Sequence, residues 1–166
     1  SNDDDTVIYD GPMAVMVNRL SASASEIFAG AMQDYGRALV LGGQTFGKGT
    51  VQTMIPLNRG QLKLTAAKFY RVSGQSTQNQ GVIPDIAFPS LFDQDAIGES
   101  SLDGAMPWDV IDAARYHPFS ELSPYIFDLQ TSHIERTKND PHFIYYRALM
   151  EKAEERSGRT QLSLNE

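Results

Sequence analysis

Apolar residues follow two different spacings in the first part of the chain, and a run of serines separates them. Residues 13–17 form an unbroken apolar run, which predicts a short buried strand. Beyond the serines, apolar side chains recur at helical spacing as far as Gly36, a pattern typical of an amphipathic helix that ends at a glycine. Residues 38–41 are again apolar and predict a second strand. The serines therefore lie where a strand passes into the first turn of a helix.

Beyond the second strand, the pattern changes to the alternation of a β-hairpin. Residues 50–56 and 61–72 suit two paired strands around a turn that contains glycine. Alternate residues share a face in extended backbone, so Lys48 and Gln52 would lie on the same side. Residues 81–86 predict a short return strand.

The last third of the chain has mainly helical signals. Residues 91–106 are acidic, contain Gly and Ser and show little periodicity, which predicts a linker or mobile loop. Residues 107–115 begin with proline and predict a helix. A second helix is predicted from Ser123, and a third from Asp140 to Gly158. The predicted buried stripe of the second helix comprises Ile126, Phe127, Leu129 and Ile134.

The composition narrows the class of partner. The 166 residues carry a formal net charge of −7, from 21 acidic and 14 basic residues, which gives no reason to expect nucleic acid or an anionic membrane as partner. No apolar run approaches the roughly 18 residues of a membrane-spanning helix. There is no cysteine, so no disulfide holds the fold together. Strands that alternate with helices predict an α/β fold.

Ser23 is the candidate nucleophile. At the start of a helix, backbone N–H groups have no partner within the helix, and the helix dipole favours negative charge. An attacking alkoxide and a developing oxyanion both gain from that field. The alternative is structural, because Ser23 and Glu26 have the spacing of a capping box. These residues alone leave both roles open.

Lys48, which lies between two glycines, is the candidate base. A lysine can accept a proton in catalysis only when burial lowers its pKa well below the usual value of about 10.4. Apolar strands on either side could bury Lys48, and Gln52 could orient its amine without adding charge. A solvated loop lysine is the plain alternative.

A phosphate-binding loop is a further alternative for the same stretch. Residues 42–48 fit the pattern G-x-x-x-x-G-K after a strand. Two features are missing, since Gly49 stands where Ser or Thr should hold magnesium, and a strand rather than a helix is predicted to follow. We therefore regard a P-loop-like nucleotide binder as an unfavoured alternative.

Four separate blocks of the sequence resemble one known family. They are SASASEIFAGAMQDYGRA, TFGKGTVQ, KFYRVSGQSTQNQGVIPDI and MPWDVIDAA. In these blocks the chain resembles the tail-specific proteases, which belong to the carboxy-terminal processing peptidases, a family with a Ser/Lys dyad. The resemblance implies that Ser23 is the nucleophile, that Lys48, 25 residues later, is the base, and that Gln52 supports the lysine. It also implies that the Ala24 N–H supplies part of the oxyanion hole.

The resemblance implies a fold and a domain division. The fold would be part of a ClpP/crotonase-like peptidase core, a mixed sheet with helices, followed by a small helical region. Residues 1–90 would be the C-terminal half of the peptidase domain, and residues 91–106 the acidic linker or mobile loop. Residues 107–166 would begin a C-terminal helical domain.

The resemblance also implies an activity and a location. The activity is that of a serine endopeptidase, without cofactor or metal, on proteins or peptides recognised through exposed C-terminal tails. The family is exported, so the implied location is the periplasm. The family's first peptidase half and PDZ-like domain have no counterpart here, so the chain is expected to be a fragment with little activity of its own. A docking or assembly module that pairs copies through an exposed sheet edge is the non-catalytic alternative.

Asp34 and the histidines are predicted to lie outside the catalytic machinery. Asp34 follows Ser23 by eleven residues, which is roughly 16 Å along a continuous helix and too far for a direct hydrogen bond. His117, His133 and His142 occur without acidic or metal-ligand spacing, so surface or helix-capping positions are expected.

Overall fold

Two small β-sheets carry the strands of the computed structural model, which describes residues 7–158. In chain order the elements are β1 (Ala14–Val17), α1 (Ala24–Asp34), β2 (Leu39–Gly42), β3 (Thr50–Pro56), β4 (Gln61–Lys68), β5 (Ile86–Ala87), α2 (Ser123–Lys138) and α3 (Pro141–Ser157). A 3₁₀ turn covers Glu99–Ser101. Strands and helices share the chain as expected, and the predicted α/β class is confirmed.

Three parallel strands, in the order β1-β2-β5, form the first sheet. Ala14 pairs with Leu39, and Leu41 pairs with Ile86. α1 connects β1 to β2, since parallel neighbours need a crossover connection. The buried cluster between α1 and the sheet comprises Val17, Ala29, Val40 and Val82, with Val15 packed against it. This burial fixes α1 on the sheet, and with it the serine-rich turn before α1.

β3 and β4 form a separate antiparallel hairpin. Gly60 closes the turn with a φ of +82°, a conformation that glycine adopts at little cost. A bulge interrupts the register between Val51 and Gln52. Residues 51–67 are exposed, so both faces of the hairpin present apolar side chains to solvent.

Residues 107–115 are not helical, so the first predicted C-terminal helix is wrong. The segment runs beside the turn that follows β4, where the Ile111 N–H donates to the Gly74 carbonyl oxygen at 2.9 Å. The Asp109 carboxylate binds the Lys68 ammonium at 2.8 Å. These tertiary hydrogen bonds outweigh the local helix-start signal of the proline.

α2 and α3 confirm the other two predicted helices. Asp140 caps α3, because its side chain accepts hydrogen bonds from the N–H groups of His142 and Phe143 at 2.8 and 3.3 Å. The predicted stripe on α2 is wrong, since Phe127 and Ile134 are 73% and 63% exposed.

His133 is the buried aromatic residue of α2, contrary to its predicted surface position. Its ring stacks on Phe88 with centroids 4.9 Å apart and meets Phe143 edge-on at 5.5 Å. Burial lowers the pKa of His133, and the neighbouring Arg136 guanidinium lowers that pKa further. The stack joins α2 and α3 to the segment after β5.

Residues 91–106 follow an irregular path that includes the 3₁₀ turn. The division into peptidase half, linker and helical domain stays a prediction. Among the helices of residues 7–158, none is long and apolar enough to cross a membrane.

Candidate active site

Ser23 lies exposed at the N-terminus of α1. Its backbone has φ 56° and ψ −113°, a conformation that costs a non-glycine residue about 1–3 kcal/mol. The Ser23 N–H donates to Glu26 Oε2 at 2.8 Å, and the Glu26 N–H donates to the Ser23 carbonyl oxygen at 2.9 Å. The predicted capping box is present, and these bonds hold the serine in its strained position.

The backbone N–H of Ala24 belongs to the first turn of α1, where N–H groups have no partner within the helix. No acceptor for it occurs among residues 7–158. Ala24 is exposed and begins α1, where the helix dipole adds positive potential. A substrate oxyanion beside Ser23 could therefore accept a hydrogen bond from this group.

Glu26 connects the serine turn to the lysine. Its side chain is fully buried, with an exposed fraction of 0%. The carboxylate accepts four hydrogen bonds, from Ser23 N–H (2.8 Å), Lys48 N–H (2.9 Å), Gly47 N–H (2.6 Å) and the Thr45 hydroxyl (2.5 Å). A buried carboxylate is stable only with such donors. Glu26 therefore fixes the backbones of Ser23 and Lys48 relative to each other.

Sequence reasoning assigned Glu26 a capping role only and missed this connection. One signal for it was present in the helical pattern. Glu26 lies on the same face of α1 as Ala29 and Gly30, both of which are buried. A charged residue on the buried face of a helix needs partners from another element, which here is the lysine loop.

Lys48 is half-buried, and its ammonium donates to Thr50 Oγ1 at 3.5 Å. The hydrogen bonds of the described residues include none between the Ser23 hydroxyl and the Lys48 amine. Gln52 is exposed, and its side chain has no hydrogen-bond partner within the same part of the chain. The structure therefore brings the backbones of the two candidates together and leaves their side chains unbonded to each other.

The lysine loop (residues 44–49) approaches neighbouring backbone so closely that its last two glycines have no room for a side chain. Gly47 has a φ of +92°, and a Cβ there would lie 2.5 Å from the Asn79 carbonyl oxygen. A Cβ on Gly49 would lie 2.5 Å from the Gln78 nitrogen. Two hydrogen bonds form at these close approaches. The Asn79 N–H donates to the Gly47 carbonyl oxygen at 2.8 Å, and the Gly49 N–H donates to Gln78 Oε1 at 3.0 Å.

These bonds also bear on the phosphate-binding alternative. Phosphate loops bind their ligand through free backbone N–H groups at the start of a helix. Here the N–H groups of Gly47 and Lys48 bond to Glu26, and that of Gly49 bonds to Gln78. The strand β3 follows instead of a helix. The loop thus lacks the free donors that a nucleotide would need.

Asp34 has the structural role predicted for it. Its carboxylate pairs with Arg71, whose Nε and Nη2 donate at 2.9 and 2.5 Å, and both side chains are less than a tenth exposed. The Ser73 hydroxyl donates to the same carboxylate at 3.2 Å. The pair ties the end of α1 to the turn after β4 and does not involve Ser23.

A polar cluster at the end of β4 holds the titratable groups Asp109 and Tyr70. The hydrogen bond from Lys68 lowers the pKa of Asp109 below its usual value. Desolvation raises the pKa of Tyr70, and its hydrogen bond to Asp109, at 3.0 Å, adds to the rise. The cluster fastens residues 107–115 to the hairpin.

A groove of about 580 Å³ lies between α2, α3 and the segment after β5. Phe88, His133 and Phe143 are among the residues that line it, and Ser23 and Lys48 are not. The groove is therefore separate from the candidate active site.

The α/β fold, with a serine at a helix start and a lysine loop on the same carboxylate, suits a serine-type peptidase. Comparison with known families agrees. The chain belongs to peptidase family S41, which matches residues 1–88. Residues 92–166 match the C-terminal domain of tail specific protease. The family resemblance seen in the sequence is thereby confirmed.

The curated relatives that match this chain are much longer than it is. It is 44% identical over 177 residues to the tail-specific protease of Haemophilus influenzae, covering 99% of this chain and 25% of that protein. It is 48% identical over 100 residues to the carboxy-terminal-processing protease of Bartonella bacilliformis, covering 56% of this chain and 23% of that protein. The chain therefore spans about a quarter of the length of these curated relatives.

One solved structure, the photosystem II D1 C-terminal processing protease, is also similar to this chain. The two are 41% identical with a TM-score of 0.46, over 51% of this chain and 22% of that one.

Proposed function

We propose that this chain is part of a serine endopeptidase in which Ser23 is the nucleophile and Lys48 the base. The observation that carries the proposal is the buried Glu26 carboxylate, because it accepts hydrogen bonds from the backbone N–H groups of both residues. Membership of peptidase family S41 supports the same assignment. If Ser23 were only a helix cap and Lys48 only a solvated loop residue, the fold would not need one buried carboxylate that binds the backbones of both.

The proposed reaction has two stages. Neutral Lys48 accepts the hydroxyl proton of Ser23 as the serine oxygen attacks a peptide carbonyl carbon. The Lys48 ammonium then gives that proton to the leaving amine, and an acyl-enzyme remains on Ser23. In the second stage Lys48 takes a proton from water, the resulting hydroxide attacks the ester, and the Ser23 hydroxyl is restored as the acid product leaves.

Two neighbouring groups complete the proposed site. The free Ala24 N–H would donate to the oxyanion in both stages, which lowers the energy of the tetrahedral intermediates. Gln52, in β3 four residues after Lys48, would orient the Lys48 amine, as the family resemblance implies. That role requires Gln52 to turn inward when the active site is complete, because its side chain is exposed here.

We propose that the substrates are proteins with exposed C-terminal tails and that the protein acts in the periplasm. The support is the similarity to proteins named tail-specific and carboxy-terminal-processing proteases. The chemistry proposed for Ser23 and Lys48 uses neither a metal nor an organic cofactor.

The experiment that tests the dyad is cleavage of a denatured protein by the natural protein and its single variants. Ser23→Ala and Lys48→Ala are each expected to lower kcat by about 10³-fold or more, because each removes a group that acts in every bond-making step. Ser25→Ala is the matched control, since Ser25 is exposed on the same turn of α1 and is expected to retain activity. Activity that survives Ser23→Ala but not Ser25→Ala would overturn the assignment.

We further propose that the 166-residue chain alone cleaves little, because its Ser23 and Lys48 side chains are not bonded to each other. Its exposed hairpin supports a second candidate function, the docking or assembly module. Light scattering after size-exclusion chromatography distinguishes a docking module that pairs copies from a chain that stays monomeric. A monomer at all concentrations would count against pairing of copies through a sheet edge.

A further inference from the structure

Arg19 ties residues 94–101, which we call the clamp segment, to the lysine loop. Its side chain is only 3% exposed. The guanidinium donates to the carbonyl oxygens of Thr45 (2.6 Å), Gln94 (2.8 Å) and Ile97 and to the Ser100 hydroxyl (3.4 Å). A planar group with five donors suits several fixed oxygens at once, whereas an ammonium does not. Gly98 permits the approach, because a Cβ there would lie 2.2 Å from Arg19 Nη2.

Glu99 makes the second connection between the clamp segment and the lysine loop. It is 8% exposed, and its N–H donates to the Phe46 carbonyl oxygen at 2.9 Å. Its carboxylate accepts from Gln78 Nε2 at 3.2 Å, and Gln78 Oε1 accepts the Gly49 N–H at 3.0 Å. A path of hydrogen bonds therefore runs from Glu99 to the residue after Lys48.

We propose that the clamp segment is part of the scaffold of the active site, with Arg19 and Glu99 as positioning residues for Lys48. The clamp segment lies within residues 92–166, the region that matches the C-terminal domain of tail specific protease. The lysine loop lies in the region that matches the peptidase family. The C-terminal domain thus supports the loop that carries Lys48, an inference that rests on the proposed function of Lys48.

The physical reason is that the lysine loop has no helix or strand of its own. Its position depends on bonds from two sides, from Glu26 on one and from Glu99 through Gln78 on the other. Loss of the Glu99 carboxylate frees Gln78 to turn, and the Gly49 N–H then loses its fixed acceptor. A displacement of about 1 Å in a catalytic group can lower a rate roughly 100-fold.

The first test is steady-state cleavage of one peptide substrate by the natural protein. Glu99→Ala is expected to lower kcat roughly 10- to 100-fold with little change in KM, because the substrate contacts are kept and only the lysine moves. Glu99→Gln retains an acceptor oxygen for Gln78 and is expected to restore most of the rate. Asp95→Ala is the control for loss of an acidic side chain, since Asp95 is exposed in the same segment.

The second test does not depend on activity. Hydrogen–deuterium exchange of this chain is expected to be faster at residues 46–49 in Glu99→Ala, by up to about tenfold, the equivalent of one lost hydrogen bond. Asp95→Ala is expected to exchange like the unaltered chain. Arg19→Lys is the second variant, should Glu99→Ala fail to fold, and the same faster exchange is expected because a lysine cannot reach all the carbonyl oxygens.

Failure of the proposed function and failure of the clamp proposal give different results. If the unaltered natural protein shows no cleavage that depends on Ser23, the proposed function fails, and exchange still decides whether the clamp exists. If foldable Glu99→Ala or Arg19→Lys leaves both kcat and the exchange of residues 46–49 unchanged, the clamp proposal is overturned. A change in KM alone would overturn it as well, because positioning of the lysine acts on kcat.

Discussion

The lysine loop and the β3–β4 hairpin are neighbours in the chain but are held in opposite ways. The lysine loop has no regular secondary structure, yet Thr45, Gly47 and Gly49 are buried and their backbones are bonded on both sides. The hairpin has a ladder of paired residues with one bulge, but residues 51–67 are exposed. Order at the candidate site therefore comes from buried polar bonds rather than from secondary structure.

The contrast follows from what each region buries. A two-stranded hairpin with no covered face is only marginally stable in water. A buried network in which each polar group has its partner gives a loop one fixed arrangement, and an unpaired member of it is costly. Substitutions in the loop should therefore be much more damaging than equivalent ones in the hairpin.

The largest effect is expected for Glu26→Gln, which keeps the size of the side chain but replaces one acceptor oxygen by an NH₂ donor. That donor would face N–H groups of Ser23, Lys48 or Gly47 and leave them unpaired. We expect the free energy of unfolding of this chain to fall by about 3 kcal/mol. Urea denaturation followed by circular dichroism measures the loss.

Glu135→Gln is the control for Glu26→Gln, since Glu135 is exposed on α2 and its loss of charge should change little. Equal stabilities for the two variants would show that Glu26 does not hold the lysine loop.

An intermediate effect is expected for Gly47→Ala, and Gly60→Ala provides a close match in the hairpin. Both glycines have positive φ, +92° and +82°, so both substitutions strain the backbone. Only at Gly47 would the new Cβ also meet another atom, the Asn79 carbonyl oxygen at 2.5 Å; around Gly60 there is none within 4 Å. We expect a loss of about 1 kcal/mol at Gly60 and about 2 kcal/mol at Gly47. Thermal melts of the two variants compare them, and equal melting temperatures would contradict tight packing of the loop.

The smallest effect is expected where the hairpin is fastened by the Lys68–Asp109 ion pair. The pKa of Asp109 is lowered by its hydrogen bond from Lys68, so the pair stabilises the fold above the usual carboxyl pKa of 3.8. That contribution is lost as the pH falls below 3.8 through the lower pKa of the folded state. Asp109→Asn should therefore differ slightly from the unaltered chain at about pH 6, and the difference should shrink as the pH falls through the lowered pKa of the folded state. A difference that grows on acidification would contradict the assignment.

The elements near the site could be predicted because local patterns determine them. The continuous apolar strands, the helix start at Ser23 and the proline-initiated start of α3 at Asp140 are short-range signals, and the structure follows them. The helix predicted over residues 107–115 failed for the opposite reason. The backbone groups of this segment form hydrogen bonds to a turn about forty positions earlier, and no local sequence pattern predicts that pairing.

Only part of the candidate site could be predicted from the sequence, for the same physical reason. The spacing of Ser23 and Lys48 could be matched to a family, and Glu26 could be recognised as a capping residue. The contacts that hold the site, from Glu26 to the lysine loop and from Arg19 and Glu99 across it, join positions 19 to 81 residues apart. Such contacts depend on the tertiary path of the chain.

The strained backbone of Ser23 lowers the stability of the fold at the position of the proposed nucleophile. A serine at φ 56° is held against its own conformational preference, and glycine would relieve that strain. Alanine would not, because it keeps the Cβ. Ser23→Gly should thus be more stable than the unaltered chain, whereas Ser23→Ala reports the loss of the hydroxyl alone. The side chain proposed as nucleophile and the most relaxed backbone therefore compete for the same position, which is a stability–activity trade-off confined to one residue.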